Sequence, residues 1–246
     1  MKISAVIAAY NEEKNIKRCL DSLSFASEII VIDSMSTDKT VKICRAAGAK
    51  VYSVKFKSFS QVKGLGLKKA KGDYIFVIDA DEAASAMLAA KLGEIAAKGG
   101  PADAYEIKRE NFFLGRVIRH CGWGKDYQIR FFKNGKARYD GKIVHENLIV
   151  RGVKGRIQEP ILHYTYPDSA SYFEKVNRYT SLQAVQDINK MAFLKMLYAP
   201  FFRFFRMYFL KLGFLDGFRG FILCVYSGFT DFIRFAKAVE LKRLRK

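Results

Sequence analysis

The first hundred residues alternate between short apolar runs and segments whose apolar positions recur every three or four residues. Ile3 to Ala9 is a short apolar run, broken only by Ser4, that ends at Tyr10-Asn11-Glu12-Glu13. A helical spacing follows through Ile16, Cys19, Leu20 and Leu23. Glu28 to Asp33 is a second buried-strand run that ends in a carboxylate. Ser36 to Thr40 reads as a turn and helix start, with Val41, Ile43, Cys44 and Ala47 as the apolar face before Gly48. Lys50 to Val54 is a third strand, Ser58 to Lys71 a basic helix closed by Gly72, and Tyr74 to Asp79 a fourth strand. Ala83 to Lys98 is an Ala-rich helix that stops at Gly99-Gly100-Pro101. Strand and helix in this alternation predict a mostly parallel sheet with helices on both faces.

From Tyr105 to Tyr166 the pattern becomes β-rich: Arg109 to Gly115, Tyr127 to Phe132, Lys142 to Val150 and Ile161 to Tyr166 read as strands, with Asn134-Gly135 as a hairpin turn before Ala137-Arg138-Tyr139. This half is expected to be an antiparallel extension over the acceptor side of a cleft. Asp168 starts a helix that runs to about Asn189. Lys190 to Lys246 interleaves Phe, Tyr and Leu with Arg and Lys, and its longest stretch free of charge, Gly220 to Thr230, is too short for a span. That mixture suits helices lying on an anionic bilayer, with a buried helical hairpin or a second subunit as the alternative. The predicted organisation is a domain over 1–189, divided into halves 1–100 and 101–189, and a basic aromatic tail over 190–246.

Ligands of parallel sheets bind beyond the carboxyl ends of the strands. Three polar clusters fall at that edge: Asn11-Glu12, Asp33 and Asp79-Ala80-Asp81-Glu82. Carboxylates this close repel one another unless a cation lies between them, and hard oxygen donors suit Mg²⁺ or Mn²⁺ on a diphosphate. The alternative is a solvated acidic turn at a helix start. No G-x-G-x-x-G or G-x-x-x-x-G-K-S/T is present, which disfavours a dinucleotide site and a P-loop.

The net charge of +19 calls for an anionic partner. Nucleic acid is disfavoured, because the acidic strand ends repel phosphates and the cations sit among long apolar runs. The four cysteines, Cys19, Cys44, Cys121 and Cys224, show no C-x-x-C and fit a reducing compartment. Met1-Lys2 leads straight into a strand, with no leader expected.

Ile7-Ala8-Ala9-Tyr10-Asn11-Glu12-Glu13, Val31 to Thr40 and Tyr74 to Glu82 resemble glycosyltransferase family 2, nucleotide-sugar enzymes of GT-A fold. Gln128-Ile129-Arg130-Phe131-Phe132 and Gly141 to Glu146 resemble the subgroup of bacterial lipopolysaccharide-core β-1,4-glucosyltransferases. The resemblance implies inverting transfer from a nucleoside-diphosphate sugar, UDP-glucose on the subgroup's pattern, to a lipopolysaccharide inner-core or other lipid-linked acceptor. Polyprenyl-phosphate and capsule or O-antigen intermediates are the alternative acceptors, and an inactive scaffold is a further possibility. It implies a cytoplasmic enzyme, peripheral on the inner face of the cytoplasmic membrane. Ala9, Tyr10 and Glu12 would line the nucleoside pocket, Asp33 would bond the base, Asp79 would lie near ribose and sugar, and Asp81 would ligate the metal. Lys63 would sit near the donor, and Arg130 is a candidate for the diphosphate or for an internal ion pair. Gln-x-Arg departs from the Q-x-x-R-W of processive members, so a single addition is expected. Inversion needs a base for the acceptor hydroxyl: Glu146 is the leading candidate and Asp140 the reserve. His145 is a candidate third metal ligand or support for Glu146. Trp123, between Gly122 and Gly124, is read either as a sugar-stacking loop residue or as core.

Overall fold

The computed structural model describes residues 1–140, 148–188 and 191–244. They divide into two compact units, one of residues 1–109 and 126–163, the other of 110–125 and 164–246.

The first unit begins with β1 (Ile3–Ala9), α1 (Ile16–Asp21), β2 (Glu28–Asp33), α2 (Thr40–Ala46), β3 (Lys50–Ser53), α3 (Phe59–Lys69) and β4 (Tyr74–Asp79). It continues through β5 (Glu82–Ala84) and α4 (Ala86–Lys98) to β6 (Ala104–Phe113). After β7 (Arg116–Val117) come β8 (Tyr127–Lys133), β9 (Ala137–Tyr139), β10 (Leu148–Val150) and β11 (Lys154–Tyr166). Strands β6 and β11 continue past Arg109 and His163 into the second unit.

The strand order is β3-β2-β1-β4-β8-β6-β11-β5. Its first four strands pair in parallel, and β8 turns the sheet antiparallel against both β4 and β6. The period-two rule separates the two faces. Ile3, Ala5 and Ile7 of β1, Val31 of β2 and Phe76 and Ile78 of β4 pack with Ile16, Cys19, Leu88 and Leu92, under α1 and α4. Val6, Ile30, Ile32, Ile75 and Val77 point the other way and meet Val62 of α3. Helix α3 crosses closely because residue 66 is glycine: a Cβ there would collide with the Val6 side chain. Helices therefore cover both faces of the parallel strands, the α/β class expected from the alternation.

Two local expectations change. Residues 82–84 form a short strand rather than the start of the Ala-rich helix, because their backbone pairs antiparallel with Ile161–His163 of β11. The helix starts after Ser85, whose side chain accepts from the Leu88 amide. The chain does turn at Asn134-Gly135, where Gly135 takes φ 81°, but β8 and β9 do not form a hairpin with each other. Both edges of β8 are occupied by β4 and β6, and β9 pairs with β10.

In the second unit α5 (Ser169–Gln186) starts at Asp168, whose carboxylate and backbone complete a reciprocal cap with Ser171. Helix α6 (Ala192–Phe205) passes through a π-helical turn (Arg206–Leu210) and a 3₁₀ turn (Gly213–Asp216) into α7 (Gly217–Leu244). Phe113, Tyr172, Val176, Leu223 and Cys224 form its buried centre. Trp123 packs on the edge of this cluster, 6.4 Å from the Tyr166 ring centre.

Candidate active site

The switch point of the sheet lies at β1, which has β2 on one side and β4 on the other. Register places Ala9 opposite Asp33, and Ala8 opposite Asp79. The predicted nucleoside and metal clusters therefore stand side by side at one carboxyl edge.

The loops after β1 and β2 are laced together by side chains that hold backbone. The Asn11 amide donates to Ser36 Oγ (2.9 Å), and Asn11 Oδ1 accepts from the Thr37 amide (2.8 Å). The Glu12 amide donates to Thr40 Oγ1 (2.8 Å), the Glu13 amide to Asp38 (3.0 Å), and the Lys39 amide to Glu13 (3.0 Å). Asn11 and Met35 adopt positive φ, 53° and 64°, and Met35 is exposed. Non-glycine residues persist in that region only where their surroundings over-determine it, and here the lacing does so at Asn11. Asp33 is buried and both its carboxylate oxygens accept from the Ser36 amide, at 3.1 and 3.3 Å. Ala9 is buried beside it, Tyr10 is exposed, and Glu12 accepts from Asn15 Nδ2 (2.8 Å).

The three carboxylates at the end of β4 have different sets of partners, with Arg130 shared by Asp79 and Glu82. Asp79 is held by Lys63 Nζ (2.9 Å) and the Arg130 guanidinium (2.7 Å). Burial pushes its pKa up, but the Arg130 and then the Lys63 charge outweigh this and hold it well below the usual carboxylate range. Glu82 is fully buried: it accepts the Asp79 amide (2.9 Å), Arg130 (3.0 Å) and Arg109 (3.1 Å). Arg109 is in turn clasped by Asp126 (2.7 Å). Burial disfavours the Arg109 and Arg130 charges, and the facing carboxylates more than restore them. Asp81 places its Oδ2 3.5 Å from His163 Nε2. Cys19 closes the cluster from behind, donating its thiol to the Asp79 carbonyl (3.6 Å). Burial and then the Glu82, Asp81 and Asp79 charges push that thiol's pKa well up, so it stays protonated.

The structure thus brings Lys63, Asp79 and Arg130 together, as one ion-pair cluster. Arg130 occupies the internal ion-pair position weighed as its alternative. Its Nε–H is buried and has no acceptor among the described residues. Asp140 follows directly on β9. His145 and Glu146 lie outside the described residues. Sequence reading missed Glu82 as a buried hub, Arg109 and Asp126 as its partners, and His163 as the imidazole facing Asp81. The register pair His163–Glu82 joins residues 81 positions apart, and no local pattern carries such a pairing.

The donor set fits a divalent cation. A carboxylate oxygen and an imidazole nitrogen 3.5 Å apart are close to the ~3 Å that separates adjacent ligands of an octahedral ion with ~2.1 Å bonds. Among the described residues no group of three or more His, Cys, Asp or Glu could hold a metal alone. Mg²⁺ usually binds through one or two carboxylates completed by substrate phosphates, the part Asp81 would play.

Residues 4–153 match the model of "Glycosyl transferase family 2". The chain is 26% identical to the lipopolysaccharide core biosynthesis glycosyltransferase LpsC of Rhizobium meliloti, over 100% of this chain and 94% of that protein. It is 29% identical to an uncharacterized glycosyltransferase of Rickettsia bellii, over 98% and 87%. Among solved structures, glucosyl-3-phosphoglycerate synthase from Mycobacterium tuberculosis, in complex with Mn²⁺, UDP and glucosyl-3-phosphoglycerate, shares 28% identity over 45% of this chain and 44% of that one, with a TM-score of 0.38. The family model covers more than half of the chain and takes in both laced loops and the acidic cluster after β4, so the protein belongs to glycosyl transferase family 2.

Proposed function

We propose that this glycosyltransferase moves one glucose from UDP-glucose, with inversion, to a hydroxyl of a lipopolysaccharide inner-core or other lipid-linked glycan at the cytoplasmic face of the membrane. The observation that carries the donor half is the pairing of Asp81 with His163 beside an otherwise neutralised ion cluster, one strand away from the laced loops. Full-length similarity to a lipopolysaccharide core enzyme supports the acceptor half.

In this reading Ala9, Tyr10 and Glu12 wall the nucleoside and Asp33 accepts from the base. Asp79 orients ribose and sugar while Lys63 and Arg130 keep it ionised. Asp81 and His163 would hold Mg²⁺ or Mn²⁺, which when bound supplies Lewis-acid stabilisation of the leaving diphosphate. The Arg130 and Lys63 charges would add to the stabilisation of the departing diphosphate. Glu146 takes the proton of the acceptor hydroxyl as it attacks the anomeric carbon, with Asp140 as the reserve.

Asp81→Ala is expected to abolish transfer while circular dichroism and the thermal transition remain those of the parent; wild-type turnover would remove Asp81 from the site. Glu146→Gln is expected to bind UDP-glucose normally and lose kcat, and an unchanged kcat hands the base role to Asp140. A panel of inner-core, polyprenyl-phosphate and capsule acceptors separates the acceptor classes.

A further inference from the structure

The second unit carries an apolar face that its own packing leaves uncovered. On α6, Leu194, Leu197, Phe201 and Phe205 are exposed at three- and four-residue intervals, which is one side of a helix. On α7, Phe218, Phe221, Val225 and Phe229 repeat the pattern. Leu210 and Leu215, in the turns between, join the two rows. Phe201 is 77% exposed and Phe218 75%, far beyond what a hairpin that buries its large apolar side chains would leave in water.

The opposite faces explain the inversion. Helix α7 meets α6 and the preceding turn through small residues: a Cβ at Gly228 would lie 2.8 Å from the Pro200 carbonyl oxygen of α6, and one at Gly220 would strike the carbonyl of Gly213 in the 3₁₀ turn. Ser227 and Cys224 are buried on the same side. Close approach at the seam uses glycine, while Phe201, Phe205, Phe218 and Phe229 stay exposed.

Charge selects what covers this face. Two of the three acids of the hairpin are taken up internally, and the third, Glu240, is exposed towards the far end of α7. Asp231 pairs with Arg203 (3.2 Å), and Asp216 accepts the Arg119 and His120 amides (3.1 and 2.8 Å). Arg206 and Lys211 are exposed at the turn. The unit as a whole has 17 Lys and Arg against seven Asp and Glu. A second copy would bring like charge against like charge, whereas anionic headgroups complement it. No described helix is long and apolar enough to cross a membrane.

We infer that the α6–α7 hairpin docks on an anionic lipid bilayer, seating the turn and its flanking Phe and Leu side chains at the boundary between headgroups and acyl chains of one leaflet. Such seating is ~5–10 Å deep. The inference deepens the reading above, in which the acceptor is membrane-borne. Its test involves no sugar transfer, so either can fail alone.

The test is sedimentation of the full-length protein with vesicles of phosphatidylcholine, with and without a quarter of phosphatidylglycerol. Binding is expected with the anionic lipid and is expected to weaken with salt. Phe201→Ser, Phe205→Ser and Phe218→Ser together are expected to weaken it by at least about tenfold, with UDP binding and circular dichroism unchanged. Arg206→Gln and Lys211→Gln are expected to cost about fivefold each. Phe218→Trp in a Trp123→Phe background reads depth directly, since brominated acyl chains should quench its fluorescence. Absence of binding to the anionic vesicles, binding by the triple variant equal to the parent, or a dimer dissolved by the same substitutions with no vesicle binding would each overturn the proposal.

Discussion

Glu82 shows how much a single buried carboxylate can organise. It touches the Asp79 backbone and two guanidiniums with no exposure to water. A buried charge is tolerated when every oxygen is paired, and removing one partner strands the others. Glu82→Gln leaves shape intact but leaves Arg109 and Arg130 short of one negative charge. We expect a loss of about 3 kcal/mol in unfolding free energy and a fall in kcat of about tenfold or more from displaced Arg130. Denaturant titration and steady-state kinetics check both. Asp126→Asn, which loosens Arg109 and leaves the Arg130 bonds to Asp79 and Glu82 in place, should lower stability with a smaller effect on kcat, and equal effects on kcat would mean that Glu82 does not act through Arg130. The motif around Asp79 was legible in sequence as a cluster of like charges at a strand end. What each carboxylate does was not, because Lys63, Arg109, Arg130 and His163 reach the cluster only through the sheet.

At the scale of elements, Glu28 ties the first residue of β2 to its surroundings. It accepts from Ser4 Oγ of β1 (2.6 Å), from the Lys71 amide (2.8 Å) and from Lys50 of β3 (2.7 Å). Burial raises its pKa, but those donors, Lys50 foremost, bring it from an ordinary 4.5 down to about 2. A lowered folded pKa means that the unfolded chain takes up the proton first as pH falls. The stabilisation is therefore whole above about pH 4.5 and is lost on acidification towards 2. With Lys50 half exposed to solvent screening, the contribution is about 1–2 kcal/mol. Glu28→Gln should cost that much at pH 7 and almost nothing near pH 2, by urea titration at the two pH values; a pH-independent difference would remove the ionic origin. The strands β1 to β4 and their helices were readable because each is a local run with local punctuation. Strand β5 was not, since Glu82-Ala83-Ala84 has the composition of a helix start and is made a strand only by β11 lying alongside. The same holds at Asn134-Gly135, where the turn was legible and the partners of its two strands were not.

For the whole molecule, charge is the property that reaches furthest. A balance of 43 Lys and Arg against 24 Asp and Glu surrounds a site whose own ion pairs nearly cancel, so the attraction of an anionic donor comes from the field of the chain more than from the pocket. Such a field is screened over ~10 Å at 0.1 M salt. The KM for the nucleotide sugar should therefore rise several-fold between about 0.02 and 0.3 M salt while kcat holds, measured with a neutral soluble acceptor. A salt-independent KM would restrict donor capture to local contacts.

The lacing of the loops after β1 and β2 has its own bearing on turnover. Asn11, Glu12 and Glu13 are fastened to Ser36, Thr40, Asp38 and Lys39 by the chain itself, so an arriving nucleotide spends little of its affinity on ordering this rim. On the reading proposed above, a rim built in advance greets the spent nucleotide as readily as the fresh one, and the departure of UDP, rather than the arrival of its sugar-laden form, becomes the step against which the catalytic cycle is timed.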